Sequence, residues 1–133
     1  MQIFRKQTSK NVKQFISDLD RVARGRGFVI HNEDNMEMAH TFGRHGAEVA
    51  EGFDLHMVQI CKPEKAANSL MANVERAVLM PKVIMAFGHN GSTQVRFLYF
   101  NRDTVKELVD DNEFPGSLLK SYEEIISLIE EAA

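Results

Sequence analysis

The chain has 133 residues, 44% apolar and 26% charged, which is the balance of one globular domain over residues 1–133. Its formal net charge of −3 leaves no excess of cations to neutralise a phosphate backbone, so we expect no nucleic-acid partner. Cys61 is the only cysteine, which excludes a disulfide within the chain. A hydrophobic core can hold a domain of this size without one.

The first ten residues lack the apolar segment of a signal peptide. No window of the sequence approaches the roughly 20 apolar residues that a membrane helix needs. We therefore expect a cytoplasmic protein without a membrane partner.

Charge is spread unevenly along the chain. Residues 1–26 carry seven Lys or Arg and two Asp, whereas residues 103–133 carry two Lys and nine Asp or Glu. The favoured interpretation is that the two ends attract each other, within or between subunits. The alternative is a basic face for RNA, but no aromatic residues are interleaved as stacking platforms.

The first half of the chain predicts two strands, one amphipathic helix and an irregular connection. Residues 2–7 can be extended, and Thr8 or Ser9 can cap the helix that follows. Apolar residues at helical spacing then predict one buried face: Val12, Phe15, Ile16, Leu19, Val22 and Ala23. Residues 25–27 end this helix, and residues 27–31 predict a strand. Residues 36–52 predict a partly helical connection, broken at Gly43 and Gly46.

The second half predicts three strands and three helices. Residues 53–61 are typical of a strand whose later part is buried, and Pro63 marks a helix start. The inward face of this helix is expected to comprise Ala66, Ala67, Leu70, Met71 and Val74. Asn90-Gly91 between residues 82–87 and 93–100 predicts a tight hairpin. The capping spacings Thr104 to Glu107 and Ser121 to Glu124 predict two closing helices, separated by a turn at residues 114–116.

These elements follow the order β-α-β-(α)-β-α-β-β-α-α. The simplest arrangement is a single α+β domain in which helices pack on one face of a mixed, largely antiparallel sheet. An apolar run near the end, which is expected to pack on this domain or to form a dimer seam, contains Tyr122, Ile125, Ile126, Leu128 and Ile129.

Several short motifs, in this order and spacing, resemble the bacterial and archaeal family called domain of unknown function 302. They are Gly27-Phe28, Cys61-x-Pro63-x-x-Ala66, Leu79-Met80-Pro81 before the hairpin, and Asp103. The resemblance covers nearly the whole chain. It implies a compact α+β domain that pairs as a homodimer, with strands and helices at the interface, and it implies no established reaction.

The sequence departs from this family at two positions. Lys62 and Lys82 stand where the family commonly has an asparagine and a second cysteine. A two-cysteine redox role or a thiolate–metal role is therefore doubtful for this chain, even if relatives have one.

Cys61 is the candidate catalytic residue. It ends a buried-looking strand just before the predicted helix at Pro63, where the helix dipole and the Lys62 ammonium would favour the thiolate. The candidate ligand site comprises His45, His56, Cys61, Lys62 and Lys82. The competing interpretation is that Cys61 is a small apolar core residue, as unpaired cysteines commonly are.

Imidazole and thioether groups crowd into residues 31–57. They are His31, Met36, Met38, His40, His45, His56 and Met57, with Cys61 close behind. Copper(I) and zinc prefer such ligands, but no spacing matches a closed zinc site, so we expect neither a resident metal nor a cofactor. Phosphate-loop and serine-hydrolase signatures are missing.

The favoured interpretation is a homodimeric module that binds a small ligand or a partner near Cys61 and has no established catalysis. The first alternative is a thiol-dependent enzyme or redox protein that uses Cys61. The second alternative is a soft-metal protein that binds copper or zinc.

Overall fold

The computed structural model describes residues 2–133, which form five strands and five α-helices. The strands are β1 (Gln2–Thr8), β2 (Val29–Ile30), β3 (Leu55–Cys61), β4 (Val83–His89) and β5 (Ser92–Tyr99). The helices are α1 (Val12–Gly25), α2 (Met38–Arg44), α3 (Pro63–Ala72), α4 (Arg102–Leu108) and α5 (Phe114–Ala132), with a 3₁₀ helix at Val74–Leu79. This order confirms the predicted α+β domain.

The five strands form one sheet in the order β1-β5-β4-β3-β2. Every neighbouring pair among these strands is antiparallel, so the mixed sheet allowed by the sequence becomes a fully antiparallel one. The reason is topological. Helix α1 connects β1 to β2, which run in the same direction but lie at opposite edges of the sheet, so these two strands never pair.

One face of the sheet is covered by α1 and α5 and forms the core. Alternate residues of the three central strands point into it: Val58, Ile60, Ile84, Ala86, Val95 and Phe97, each fully buried. Helix α1 contributes the six apolar residues predicted from its periodicity, and all six are buried. Helix α5 contributes Tyr122, Ile125, Leu128 and Ile129, so most of the apolar run near the end packs on its own domain.

The hairpin is confirmed. Asn90 and Gly91 connect β4 to β5 with φ angles of 51° and 79°, the left-handed conformations that a tight two-residue turn needs at both central positions. Glycine and asparagine tolerate these angles best. The register of β4 against β5 therefore follows from two adjacent residues.

Three helix starts differ from the prediction because another polar side chain accepts the free amides. Helix α4 begins at Arg102, since Asn101 Oδ1 accepts the Thr104 amide at 2.9 Å, so the predicted cap Thr104 lies inside the helix. Helix α1 is capped by Asn11, whose Oδ1 accepts a 2.8 Å hydrogen bond from the Gln14 amide, whereas the Thr8 hydroxyl accepts from the Lys10 amide. Helix α5 begins at Phe114, upstream of the predicted Ser121, because Asp111 Oδ1 accepts the Phe114 amide at 2.8 Å. The predicted turn at residues 114–116 is thus the first turn of one long helix.

Helix α3 lacks the inward face that its apolar residues predict. Met71 and Val74 are 78% and 72% exposed, and the helix has no fully buried residue. Lys65, Ala66 and Ser69 of this helix line a cleft, and its main contact is with the following 3₁₀ helix. In the part of the chain that the structure describes, no helix is both long enough and apolar enough to cross a membrane.

Candidate ligand-binding cleft

A cleft lies where the ends of β3 and β4 meet α3 and α5. It encloses about 420 Å³, counting its mouth, which is open to solvent. Its walls are apolar where Phe28, Met80, Phe114 and Leu118 line it. Its polar lining consists of three ammonium groups, three hydroxyls and one thiol, from Lys62, Lys65, Lys82, Ser69, Ser117, Ser121 and Cys61. The cleft therefore offers cations and hydroxyl groups beside an apolar wall.

Among the three lysines of the cleft, Lys82 has the ammonium group that its surroundings stabilise least. It precedes β4, and its carbonyl accepts a hydrogen bond from the Ile60 amide at 3.1 Å, which fixes its backbone next to β3. Burial lowers the pKa of Lys82, the neighbouring Cys61 partly opposes this shift, and Lys65 adds to it. Among residues 2–133 its ammonium forms no ion pair with a carboxylate. A half-buried cation in this state favours the approach of an anion.

The other two lysines of the cleft are already engaged. Lys62 Nζ lies 2.7 Å from Glu124 Oε2 and 4.9 Å from the centre of the Phe28 ring. This hydrogen bond from Lys62 lowers the pKa of Glu124. Both groups therefore stay ionised, and the pair has no net charge. Lys65 Nζ donates to Ser121 Oγ at 3.0 Å. Lys65 and Lys82 therefore both keep a positive charge without an ion-paired carboxylate, and Lys65 alone of the two has a hydrogen-bond acceptor.

Cys61 lines the same cleft but is not activated as expected. Burial raises the pKa of its thiol, and the Lys82 ammonium opposes that rise only in part. Lys62, which was expected to favour the thiolate, instead pairs with Glu124. The expectation of a low thiol pKa is therefore wrong, because removal of Cys61 from water outweighs the nearby charges.

A buried ion pair lies beside Phe114, one of the residues that line the cleft. Arg76 Nε and Nη2 donate to the two carboxylate oxygens of Asp111 at 2.7 and 3.0 Å, and the guanidinium lies 5.4 Å from the Phe114 ring centre. Asn73 and the amide of Phe114 also donate to this carboxylate. One side chain thus connects the 3₁₀ helix to the start of α5, and these hydrogen bonds hold the pKa of Asp111 well below its ordinary value.

Two residues of the candidate ligand site lie elsewhere. His45 follows α2 and is exposed. His56 is five residues before Cys61 on β3, about 17 Å away along an extended strand. The His56 Nδ1 atom is buried without a hydrogen-bond partner among the described residues, and Asp54 Oδ1 lies 3.9 Å from it. Only Cys61, Lys62 and Lys82 of the predicted site meet in the cleft.

The imidazole and thioether groups do not converge either. His31, Met38 and Met57 line one depression, and Met36 and His56 line another. His40 lies exposed on α2. Within residues 2–133, no three His, Cys, Asp or Glu side chains come together as metal ligands. Alternation along β3 explains part of the separation, because it sends His56 and Met57 to opposite faces of the sheet.

Sequence reasoning missed the half of the cleft that α5 and the later turns of α3 provide. Ser117 and Ser121 are more than 50 residues from Cys61 in the chain, and serines of this kind carry no motif. Lys65 was the one member with a usable signal, because it lies in the first turn of the helix that Pro63 predicts. Ser69 is one turn further along the same helix face.

Comparison with known proteins supports the fold. Residues 4–132 match the family described as "Domain of unknown function DUF302". A crystal structure of an uncharacterised conserved DUF302 protein from Bacillus stearothermophilus is similar, with a TM-score of 0.79 and 14% sequence identity. The match covers 100% of this chain and 99% of that one. No curated protein matches the chain.

Proposed function

The chain belongs to the DUF302 family, and we propose that it is a binding protein whose cleft takes a small organic anion with an apolar tail. The observation that carries this proposal is Lys82, a half-buried ammonium without a partner among residues 2–133, at the edge of an apolar cleft. An anion there would supply the missing countercharge. Its tail would cover the apolar wall.

The chemistry of the cleft narrows the ligand class. A carboxylate can accept from the Lys82 ammonium and from serine hydroxyls, because its two oxygens act only as acceptors. An apolar tail at the mouth of the cleft can contact Phe28, Met80 and Leu118, which line it. Lys62 is already neutralised by Glu124, so Lys65 and Lys82 are the cations that can receive a ligand anion. Carboxylates with a short apolar tail are the class that fits these constraints, and a monocarboxylate is its simplest member.

Calorimetric titration with three matched six-carbon probes tests the charge preference. We expect hexanoate to bind, and we expect hexanol and hexylammonium to bind at least 10-fold more weakly, because only hexanoate neutralises Lys82. Comparable affinity for all three probes would contradict the proposal, since it would reduce the cleft to a nonspecific apolar surface. The proposal would also be contradicted if hexanoate at millimolar concentration gave no heat of binding.

Hexanoate affinity should also depend on pH. Because burial lowers the pKa of Lys82 from its ordinary value of 10.5, this residue loses its proton at a lower pH than an exposed lysine does. Binding favours the protonated form, so affinity is expected to fall as pH rises from 7 towards 10, and the fall should begin below the range of ordinary lysines. Titrations at constant ionic strength check this. A flat profile over that range would argue that Lys82 does not contact the ligand.

The variant Cys61→Ser distinguishes a thiol-dependent enzyme or redox protein from a simple binding protein. Because burial raises the pKa of the Cys61 thiol, we expect it to react slowly at neutral pH, and we expect the serine variant to bind hexanoate within threefold of the parent. Alkylation by iodoacetamide, followed by mass spectrometry, measures the first expectation. Rapid alkylation at pH 7 would support the thiol-dependent enzyme or redox protein instead.

The soft-metal alternative remains a prediction with its own test. His31, Met38 and Met57 line one depression, and thioether and imidazole groups suit copper(I). Native mass spectrometry of freshly purified protein would detect retained copper or zinc. The same spectra report the subunit count and therefore test the expected homodimer.

A further inference from the structure

Two lysines without an ion-paired carboxylate line the cleft together. Lys82 lies just before β4 and Lys65 lies on α3, and none of the described residues that line the cleft is Asp or Glu. The third lysine, Lys62, is already paired with Glu124. Two like charges in one partly buried cleft repel each other, which favours the loss of a proton from one of them.

Lys82 is the lysine that gives up its proton more readily. Its side chain is half-buried and forms no ion pair among residues 2–133, whereas Lys65 donates to Ser121 Oγ at 3.0 Å. Burial lowers the pKa of Lys82, Cys61 opposes this shift in part, and Lys65 adds to it. At neutral pH, a larger fraction of Lys82 than of an exposed lysine is therefore the free amine.

The surroundings of Lys82 are those of a nucleophilic amine. An ammonium has no lone pair with which to attack a carbonyl carbon, so a lysine becomes nucleophilic where its surroundings favour the free amine. Desolvation and a neighbouring cation are two ways in which proteins produce such a lysine. Both are present in the cleft: Phe28, Met80 and Leu118 form its apolar wall, and Lys65 is the neighbouring cation.

We propose that Lys82 forms an imine with a carbonyl compound that also carries a carboxylate, and that Lys65 binds this carboxylate. The inference rests on the proposed function, because it places a carboxylate of the same class in the same cleft. A 2-oxo acid with a short apolar tail has the required groups, since its carbonyl carbon is bonded directly to the carboxylate. Its tail then covers the apolar wall, as the tail of hexanoate does.

Imine formation at Lys82 needs no oxidant or reductant. The lone pair of the Lys82 nitrogen attacks the carbonyl carbon, and the carbonyl oxygen takes up a proton from the amine to give a carbinolamine. The carbon–oxygen bond then breaks, a carbon–nitrogen double bond forms, and the oxygen leaves as water with both amine protons. The hydroxyls of Ser117 and Ser121 line the cleft and can donate to the carbinolamine oxygen. Because the mouth of the cleft is open, water can return and release the oxo acid, so the capture is reversible.

Reductive trapping of the full chain tests the imine. The protein is incubated at pH 7 with 2-oxohexanoate and sodium cyanoborohydride, which reduces an imine to a stable amine. We expect one adduct with the mass of the oxo acid less one oxygen atom, and we expect peptide mapping to place it on Lys82. Trapping at Lys82 should be about 10-fold faster than at the exposed Lys106, since an amine in water is almost fully protonated at pH 7.

Three variants assign the roles of the two lysines. Lys82→Met should remove the adduct, and Lys106→Met should leave it unchanged. Lys65→Met should lower the ratio of the trapping rates of 2-oxohexanoate and 2-hexanone about 10-fold, because 2-hexanone has no carboxylate for Lys65 to bind. Any change in the protonation of Lys82 affects both ligands equally, so this ratio isolates recognition of the carboxylate. Circular dichroism checks that the variants are folded, and an unchanged ratio would overturn the role of Lys65.

Calorimetry with 2-hydroxyhexanoate separates this inference from the proposed function, because this ligand has the carboxylate and the tail but no carbonyl. If hexanoate and 2-hydroxyhexanoate bind but 2-oxohexanoate leaves no adduct on Lys82, the imine is wrong and the binding proposal stands. If an adduct forms on Lys82 but neither of the other two ligands binds, the binding proposal fails instead. Adducts spread evenly over the exposed lysines would also overturn the imine.

Discussion

Replacing Lys82 by methionine is expected to remove hexanoate binding and, at the same time, to make the protein more stable. The ammonium is half-buried without a counterion among residues 2–133, so its charge opposes folding. Methionine has a similar length and fills the space without a charge. We expect hexanoate affinity to fall about 10- to 100-fold, the loss typical of a charged hydrogen bond. We expect the melting temperature to rise by a few degrees.

The opposite signs of these two effects make the experiment informative. Lys106→Met on the exposed α4 helix is the control and should change neither quantity. A destabilised Lys82→Met protein would mean that the ammonium has a stabilising partner. Unchanged hexanoate affinity would mean that the anion binds elsewhere in the cleft or outside it.

The second large effect is expected at Asp111. Replacing it by alanine removes the ion pair with Arg76, the hydrogen bond from Asn73 and the amide acceptor at the start of α5. It also leaves a buried guanidinium unpaired, which is more costly than losing a surface pair. We expect the melting temperature to fall by about 10 °C or more. The melting temperature of Asp111→Asn should lie between those of the parent and Asp111→Ala, because the asparagine amide oxygen can still accept from the Phe114 amide.

The adjacent Asp110 provides a matched control. It is exposed, and Asp110→Ala should leave the melting temperature within about 2 °C of the parent. Calorimetry or circular dichroism measures all three variants. Equal stability of Asp111→Ala and Asp110→Ala would contradict the role assigned to this ion pair.

Asp111 also predicts how stability depends on pH. Its pKa in the folded protein lies well below the ordinary value of 3.8, so its contribution is complete above that value and is lost as pH falls towards the folded pKa. Glu124 acts in the same direction through its contact with Lys62. Acid unfolding should therefore require a lower pH for the parent than for Asp111→Asn.

Local patterns predicted the parts of the fold that depend on neighbouring residues. The helical spacing of apolar residues identified the buried face of α1, and Asn90-Gly91 identified the hairpin. The start of α5 was missed because its amides are capped by Asp111, which also pairs with Arg76, 35 residues earlier. The buried face expected for α3 was wrong because periodicity shows which residues share a face and does not show whether anything covers it.

Only part of the site could be predicted, because local sequence patterns locate strand ends and helix starts but not contacts between distant elements. Cys61 and Lys62 flank a strand end and a helix start that sequence can locate, and Lys82 attracted notice as a departure from the family pattern. His56 was assigned to the site because it is near Cys61 in sequence, but an extended strand separates the two residues. Ser117 and Ser121 reach the cleft only through the packing of α5, which no short motif reports.

The binding account depends on direct contact between Lys82 and the ligand anion. Carbon-detected NMR of protein with ¹³C-labelled lysine, titrated with hexanoate, observes this contact at a single side chain, with the Lys82 signal assigned by its loss in Lys82→Met. The account predicts that the Lys82 Cε signal shifts on binding and that its pKa rises, because the anion stabilises the ammonium. A Lys82 signal that keeps its position and its pKa at saturating hexanoate would contradict the account.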